Sequence, residues 1–408
     1  MITVLAWRNL WRNYRRTLIT VTSIIFAVML ALFVGSLNRG THNQMIDSMS
    51  RFHTGYLQVQ DSLYQDEPSL DNALYFDENL AAEIENAHPE ILSLLPRLET
   101  FMLAASDEQT RGAMVLGVEP RKEQQLNDLT DRITAGSFFE PGDRAVVLAE
   151  GLAGRLNLTV GDSLILLGQG RFGMTAAGLY EIQGLVRHPI RDMNNQMVYM
   201  SLPEAQWLLS AEDYVSSILL TPTEVRHTDE IAASLRDQLD EGGLRILTWQ
   251  EMMPEVLQLI ELDIAQQYLM VGILYIVIGF GLFGTVLMMT LERLREFGVL
   301  LSVGMKRYQL CMVMFAETLL ISLLGVMGGF LIGYPLIYFF YRNPIPLTGD
   351  MAAVVEEMGM GMEAALTFSI DPDIFWTQGL IIFILAFVIC LYPIIKISRL
   401  NILEASRK

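Results

Sequence analysis

YLMVGILYIVIGFGLFGTVLMMTLERLREFGVLLSVGMKRYQL, residues Tyr268–Leu310, joins two kinds of sequence that seldom adjoin in a soluble protein. The first part, 268–291, carries no charge. It exceeds the roughly 20 helical residues needed to cross about 30 Å of hydrocarbon. The second part, 292–310, is charged at its start, has an apolar helical turn bracketed by Gly298 and Gly304, and ends basic at Lys306 and Arg307. A plain loop needs no such pattern, whereas an amphipathic element docking on a partner does. A membrane helix followed by a docking element is therefore the frame for the rest of the chain.

Working outward, three more apolar stretches are long enough to span: 17–37, 311–341 and 374–395. The arrangement is one plus three, with a long insert at 38–267. The first stretch follows Arg8, Arg12, Arg15 and Arg16, but its apolar core is too long for a cleaved signal peptide, so an uncleaved anchor is expected. Residues 1–16, 292–310 and 396–408 hold 4 basic residues each, while 38–267 holds 15 basic and 36 acidic. The loop 342–373 holds 1 basic and 6 acidic. The positive-inside rule places both termini and 292–310 in the cytoplasm, with 38–267 and 342–373 outside.

Composition agrees with that segregation. The 408 residues are 52% hydrophobic with mean hydropathy +0.35, yet the net charge is −18. So acidic a chain lacks the basic stripe that nucleic acid requires. Cys311 and Cys390 both lie in apolar runs, which excludes a disulfide framework and a cysteine-based zinc site.

The insert reads as mixed α/β. Short alternating runs at 55–60, 112–119, 162–167, 179–186, 197–201 and 216–221 predict strands. Stretches at 78–87, 202–209 and 227–239 predict helices. Residues 249–267 (WQEMMPEVLQLIELDIAQQ) carry apolar residues at helical spacing and run into the second span. They predict a stalk helix continuous with it.

Chemistry-bearing motifs are few. The chain has no Gly-x-x-x-x-Gly-Lys-Ser/Thr, so no phosphate cradle of its own is expected. Gly279, Gly281 and Gly284 match a dinucleotide fingerprint, but they sit inside an apolar span and follow no strand; helix packing is the reading. His42, His53, His88, His188 and His227 are scattered without metal-ligand spacing, and no metal site is expected. Gly325, Gly329 and Gly333 form a ladder on one face of the third span, predicting a close-packed seam inside one subunit or between two. Glu317, within the same span, lies where it can reach an interfacial Arg or Lys. At the N-terminus, LAWRNLWRNYRR interleaves aromatic and basic residues, suited to the headgroup region.

These residues resemble the FtsX-like, MacB/LolC/LolE class of ABC-transporter permeases. The resemblance rests on Glu292-Arg293-x-Arg295-Glu296-Phe297-Gly298-Val299-Leu300 and Ser302-Val303-Gly304-Met305-Lys306-Arg307, with Glu317 and the glycines of the third span. Ala6-Trp7-Arg8-Asn9-Leu10, Ser398-Arg399-Leu400-Asn401 and Leu403-Glu404-Ala405 fit as well. Leu95-Pro96-Arg97, Gly117-Val118-Glu119-Pro120, Leu156 to Asp162 and Pro203-Glu204-Ala205-Gln206 resemble the lipoprotein-release branch. The resemblance implies a four-span membrane protein of the bacterial inner membrane. Its large mixed α/β extracytoplasmic domain is of Porter/Sabre type, with an insertion at roughly 110–205.

It also implies a separate cytoplasmic ATPase in two copies, which uses ATP and Mg, and a second permease subunit, identical or a paralogue. A periplasmic lipoprotein chaperone is a further implied partner. Glu292, Arg293, Arg295, Glu296, Gly298, Gly304, Lys306 and Arg307 would couple to that ATPase. At the outer ends of spans one and two, Leu32, Phe33, Leu269, Met270 and Ile273 would either offer acyl access from the outer leaflet or simply face lipid or the neighbouring subunit, while this chain itself would be non-catalytic. Efflux of peptides or drugs with an adaptor, and mechanotransmission to a periplasmic hydrolase, are the alternative activities. MacB-branch members carry their ATPase fused at the N-terminus, which this sequence lacks.

Overall fold

The computed structural model describes residues 2–12, 14–127, 129–239, 243–349 and 365–398. Among the described residues, four helices are long and apolar enough to cross a membrane: span one (Tyr14–Met49), span two (Pro254–Glu292), span three (Arg307–Arg342) and span four (Pro372–Ser398). Each runs past its apolar stretch. An N-terminal helix, Ile2–Arg12, precedes span one, and a short helix, Leu294–Ser302, lies between spans two and three. Contacts divide the chain into a helical unit (Met1–His42, Leu259–Pro346, Leu366–Lys408) and a second unit (Asn43–Gln258, Leu347–Ala365).

In the helical unit all four spans share one apolar core, drawing on Val28, Leu282, Ile321 and Ile382 among others. The glycine ladder is what brings spans one and three together. A methyl group added at Gly325 would meet Ile24 at 2.4 Å, and one at Gly329 would meet Val28 at 2.7 Å. Gly333 faces Leu32 in the same register. The seam is therefore within one chain, and its small residues let two backbones approach where lipid supplies no hydrophobic driving force. Polar links are sparse but specific: Thr20 Oγ1 donates to Thr285 Oγ1 at 3.0 Å, and Cys390 Sγ lies 3.7 Å from Thr318 Oγ1.

Among the described residues of 43–258, the second unit holds twelve strands: β1 (Leu57–Asp61), β2 (Leu74–Tyr75), β3 (Ile91–Ala105), β4 (Thr110–Val118), β5 (Ile133–Gly136), β6 (Ala145–Ala149), β7 (Ser163–Gln169), β8 (Thr175–Val186), β9 (Met197–Ser201), β10 (Tyr214–Val215), β11 (Ser217–Pro222) and β12 (Leu244–Thr248). Six of them close on themselves in the hydrogen-bonded order β3–β4–β9–β6–β8–β7 and back to β3. Closure removes the open edges that would otherwise invite pairing with another chain. The antiparallel arm β12–β1–β11 continues from the other half of β3. Helices Glu78–Ala87 and Thr228–Leu239 cover it with Ile84, Ile231 and Leu235.

Long β3 thus serves two cores. Leu94 belongs to the arm, whereas Leu98 and Met102 belong to the ring, whose core is drawn largely from 98–211. The division falls inside β3, upstream of the insertion expected at roughly 110–205.

The chain enters and leaves this unit at one place. Trp249 N–H donates to the Tyr56 carbonyl at 3.0 Å, and Thr54 Oγ1 lies 3.7 Å from Met253 Sδ. A π-helical turn, Ser50–Thr54, carries Phe52 into the ring core, edge-on to His188 at 5.8 Å with the Arg132 guanidinium 4.9 Å above its ring. The stalk differs from expectation. Trp249–Met252 is a separate turn, Met253 leaves helical geometry at φ −125°, ψ 59°, and the long helix starts at Pro254. A residue preceding proline is sterically pushed out of the α region, and Met253 is that residue.

Candidate functional site

The 292–310 segment becomes a site through what holds it. Arg293 and Glu317 are 3% and 1% exposed, and Arg293 Nη1 donates to both Glu317 oxygens at 2.8 and 2.9 Å. Arg293 Nη2 donates to the Asn9 carbonyl at 3.2 Å, so one guanidinium joins the end of span two, span three and the N-terminal helix. Two exposed pairs reinforce the same joint. Arg12 Nη2 lies 2.5 Å from Glu296 Oε2, and Arg16 pairs with Glu292. Exposed pairs contribute about 0–1 kcal/mol each, whereas separating a buried pair costs about 3–5 kcal/mol, because a desolvated charge is left behind. Arg293–Glu317 is the pin and the other two are guides.

This corrects part of the expected coupling set. Arg293 is turned inward and cannot present its charge to a partner. Glu292 and Glu296 are exposed, but each is engaged by an arginine of this same chain. Gly298 is buried within the short helix. Gly304 has open space around it; its requirement is conformational, because φ is +102° where the short helix ends. Lys306 and Arg307 are exposed, and the Lys306 N–H is capped by Gln309 Oε1 at 3.1 Å. The side chain of Arg295 lies outside the described residues, as do the C-terminal motif residues 399–405 and loop positions 350–364.

What the short helix presents outward is apolar. Phe297 turns in against Leu310 and Met314, while Val299, Leu300 and Val303 face out, Val303 being 81% exposed. Beside them a cleft of about 410 Å³ opens between the N-terminal helix and the short helix, lined by Leu5, Phe297, Met305 and Val313 and edged by Arg12 and Glu296. This apolar face, rather than the charges expected to couple, is what the segment offers to a partner. Its signal was available, since residues 297, 300, 301 and 304 and residues 299, 300 and 303 form two helical faces, both rich in apolar groups.

The expected acyl-access residues separate. Leu32 is fully buried against Gly333, and Phe33 is half-buried, tilted against Phe368 at 5.0 Å and edge-on to Phe340 at 6.0 Å. Both are used up in helix packing, which corrects their assignment to an open surface. Leu269, Met270 and Ile273 do lie open, continuing as Ile276, Val277 and Phe280 along one exposed face of span two. The adjoining face of span two lines a different feature, a cavity of about 560 Å³ between the ends of spans one, two and four that lie toward residues 42, 259 and 372. Among the described residues, no group of three or more His, Cys, Asp or Glu side chains is placed to hold a metal ion.

Two family models match. One, described as FtsX-like permease C-terminal, covers residues 268–402; the other, described as MacB-like periplasmic core domain, covers residues 17–238, more than half of the chain. The chain belongs to the MacB/FtsX family of ABC-transporter permeases. The Neisseria meningitidis serogroup B protein named lipoprotein-releasing system transmembrane protein LolC is 21% identical over 330 residues, covering 78% of this chain and 76% of that protein. A Marinobacter nauticus protein named macrolide export ATP-binding/permease protein MacB is 21% identical over 346 residues, covering 80% of this chain and 51% of that protein. The crystal structure of the periplasmic region of MacB from Actinobacillus actinomycetemcomitans superposes with a TM-score of 0.36 at 11% identity, over 51% of this chain and 95% of that one.

As a permease of this family the chain is the membrane component of an ABC transporter, and an ATPase is its partner.

Proposed function

We propose that this permease extracts lipid-anchored proteins from the outer leaflet of the bacterial inner membrane, driven by a separate cytoplasmic ATPase. The ATPase docks on the Val299–Leu300–Val303 face, and the Arg293–Glu317 pin passes its motion to spans two and three. The large insert lies in the periplasm and both termini in the cytoplasm, as the distribution of Lys and Arg requires. Extraction has a clear energetic demand. Each acyl CH₂ taken from the bilayer costs about 0.8 kcal/mol, so a diacyl anchor needs both ATP and an apolar transit surface.

The observation that carries this reading is the exposed apolar face of span two, Leu269, Met270, Ile273, Ile276, Val277 and Phe280. Relatives named for lipoprotein release support it. A photocrosslinker at Met270 tests it in cells. The expected result is capture of an acylated protein, lost when ATP turnover proceeds. Crosslinks to a second permease subunit alone, with lipoprotein sorting unchanged when the gene is deleted, would overturn extraction in favour of efflux or mechanotransmission.

A further inference from the structure

The cavity of about 560 Å³ between spans one, two and four is not part of the exposed span-two face. Its floor is apolar, made by Val271, Ile374, Leu380 and Ile381, with Gly272 leaving room; deeper in, the buried Tyr275 hydroxyl donates to Gln378 Oε1. Its rim is charged with both signs. Arg39 Nε is 3.2 Å from Asp371 Oδ2, His42 Nε2 is 2.7 Å from Asp263 Oδ2, and Asp373 is exposed beside them. Two aromatic rings, Tyr268 and Trp376, stand 74% and 78% exposed at this level. Such rings mark the depth at which headgroups meet acyl chains.

An apolar hollow at that depth has the volume of sites that hold small amphiphiles. In a bilayer its natural occupant is an acyl chain. The rim selects among headgroups. One guanidinium offers a partner to a phosphate, while Asp263, Asp371 and Asp373 outnumber it and suit an ammonium. A purely anionic headgroup would satisfy Arg39 and be repelled by three carboxylates. We infer that this cavity binds one chain of a zwitterionic glycerophospholipid, with the phosphate toward Arg39 and the ammonium toward Asp263 and Asp373. The half-exposed Arg39–Asp371 pair holds only weakly, so a headgroup can compete for it, and the Asp263 carboxylate is half-exposed beside the buried His42 ring.

The test uses the full chain in nanodiscs of equal phosphatidylethanolamine and phosphatidylglycerol, with a photoreactive acyl probe carried on one or the other. Labelling is mapped by mass spectrometry, with no acylated protein present, so the outcome does not depend on what the transporter moves. The expected result is labelling of peptides 264–275 and 373–381 by the phosphatidylethanolamine probe about 5-fold above the phosphatidylglycerol probe, the scale of one rim contact. Gly272→Phe fills the cavity without a backbone clash, since nothing lies within 4 Å of an added Cβ, and should abolish that labelling while leaving lipid labelling elsewhere unchanged. Asp263→Asn with Asp373→Asn should bring the two probes to parity without removing the label. Equal labelling by both probes in the parent chain, or labelling indifferent to Gly272→Phe, would overturn the assignment. Complete displacement of phosphatidylethanolamine by an added diacylated peptide, with no headgroup preference, would hand the cavity to the transported substrate and overturn it as well.

Discussion

Two buried arginine–glutamate pairs, one in each unit, do different work. In the β-rich unit Arg97 is 2% exposed and Glu123 is fully buried; Nη2 and Nε of the arginine meet the two carboxylate oxygens at 2.5 and 3.1 Å, and Asn127 donates to the same glutamate. The Arg97 backbone is clamped too, its carbonyl accepting from Ser216 Oγ at 2.9 Å. This network lies inside one core and closes on itself. In the helical unit Arg293 reaches Glu317 through a single nitrogen, reaches Asn9 through another, and its buried Nε has no hydrogen-bond partner. Its contacts lie on two other helices, so with the end of span two it ties three elements together. A closed network holds one domain rigid, whereas a spread one makes three elements move together. The first pair is a staple and the second a joint.

That distinction predicts different consequences for the same truncation. Glu123→Ala leaves a desolvated guanidinium in the ring core and should cost about 3–5 kcal/mol. Thermal unfolding of the purified chain should show it as an earlier transition, with membrane insertion intact. Glu317→Ala removes the other carboxylate at a comparable cost of about 3 kcal/mol or more, but its signature should be functional. Complexes should still assemble while transport falls and ATP hydrolysis loses its response to substrate. The exchange Arg293→Glu with Glu317→Arg should restore part of the coupling, since the joint needs the pair rather than its polarity. Full transport in Glu317→Ala would show that the pair is another staple.

Acidity sharpens the contrast from the β-rich side. His188 is buried, stacked on Tyr199 and hydrogen-bonded to its hydroxyl at 3.0 Å. Burial first, then the nearby Arg132 and Arg97 guanidiniums, push its pKa down to about 3 from the ordinary 6.5. The folded chain therefore keeps it neutral while the unfolded chain takes up a proton below pH 6.5. Stability of this unit should fall as pH drops from about 6.5 toward 3, by up to about 1.4 kcal/mol per unit. Unfolding by denaturant at pH 7 and pH 5 measures it, and His188→Gln should flatten the difference.

Two smaller effects concern the input to the joint. Val303→Asp places a charge on the outward apolar face and should weaken association with the ATPase about tenfold, which is 1.4 kcal/mol of contact. A pull-down titration reads it. Arg12→Ala should shift the melting temperature little, because an exposed pair contributes about 0–1 kcal/mol. A large loss of stability in that variant would mean the guides carry more load than the pin.

The contrast between the pairs was not legible in the linear chain. Glu317 stood out there as an intramembrane carboxylate within reach of a basic partner, and Arg293 stood out only as one basic residue among four in its segment. That each satisfies the other across 24 residues depends on the turn between spans two and three. Leu32 failed as an access residue for a similar reason. Its apolar character allows lipid or core equally, and only its register against Gly333 decides between them.

Apolar length and charge bias belong to local composition, which is why the four spans, the segregated acidic insert and its α/β character are readable from residue order alone. The spans follow from a transfer free energy that about 20 residues carry by themselves, the segregation from local charge counts, and the α/β character from short hydrophobic periodicity. The closure of six strands into a ring, the inward turn of Arg293, the intrachain glycine seam and the distal cavity each depend on residues distant in sequence. Those features arise only when separate elements pack, because shape complementarity and desolvation are properties of the assembled contact rather than of any single segment.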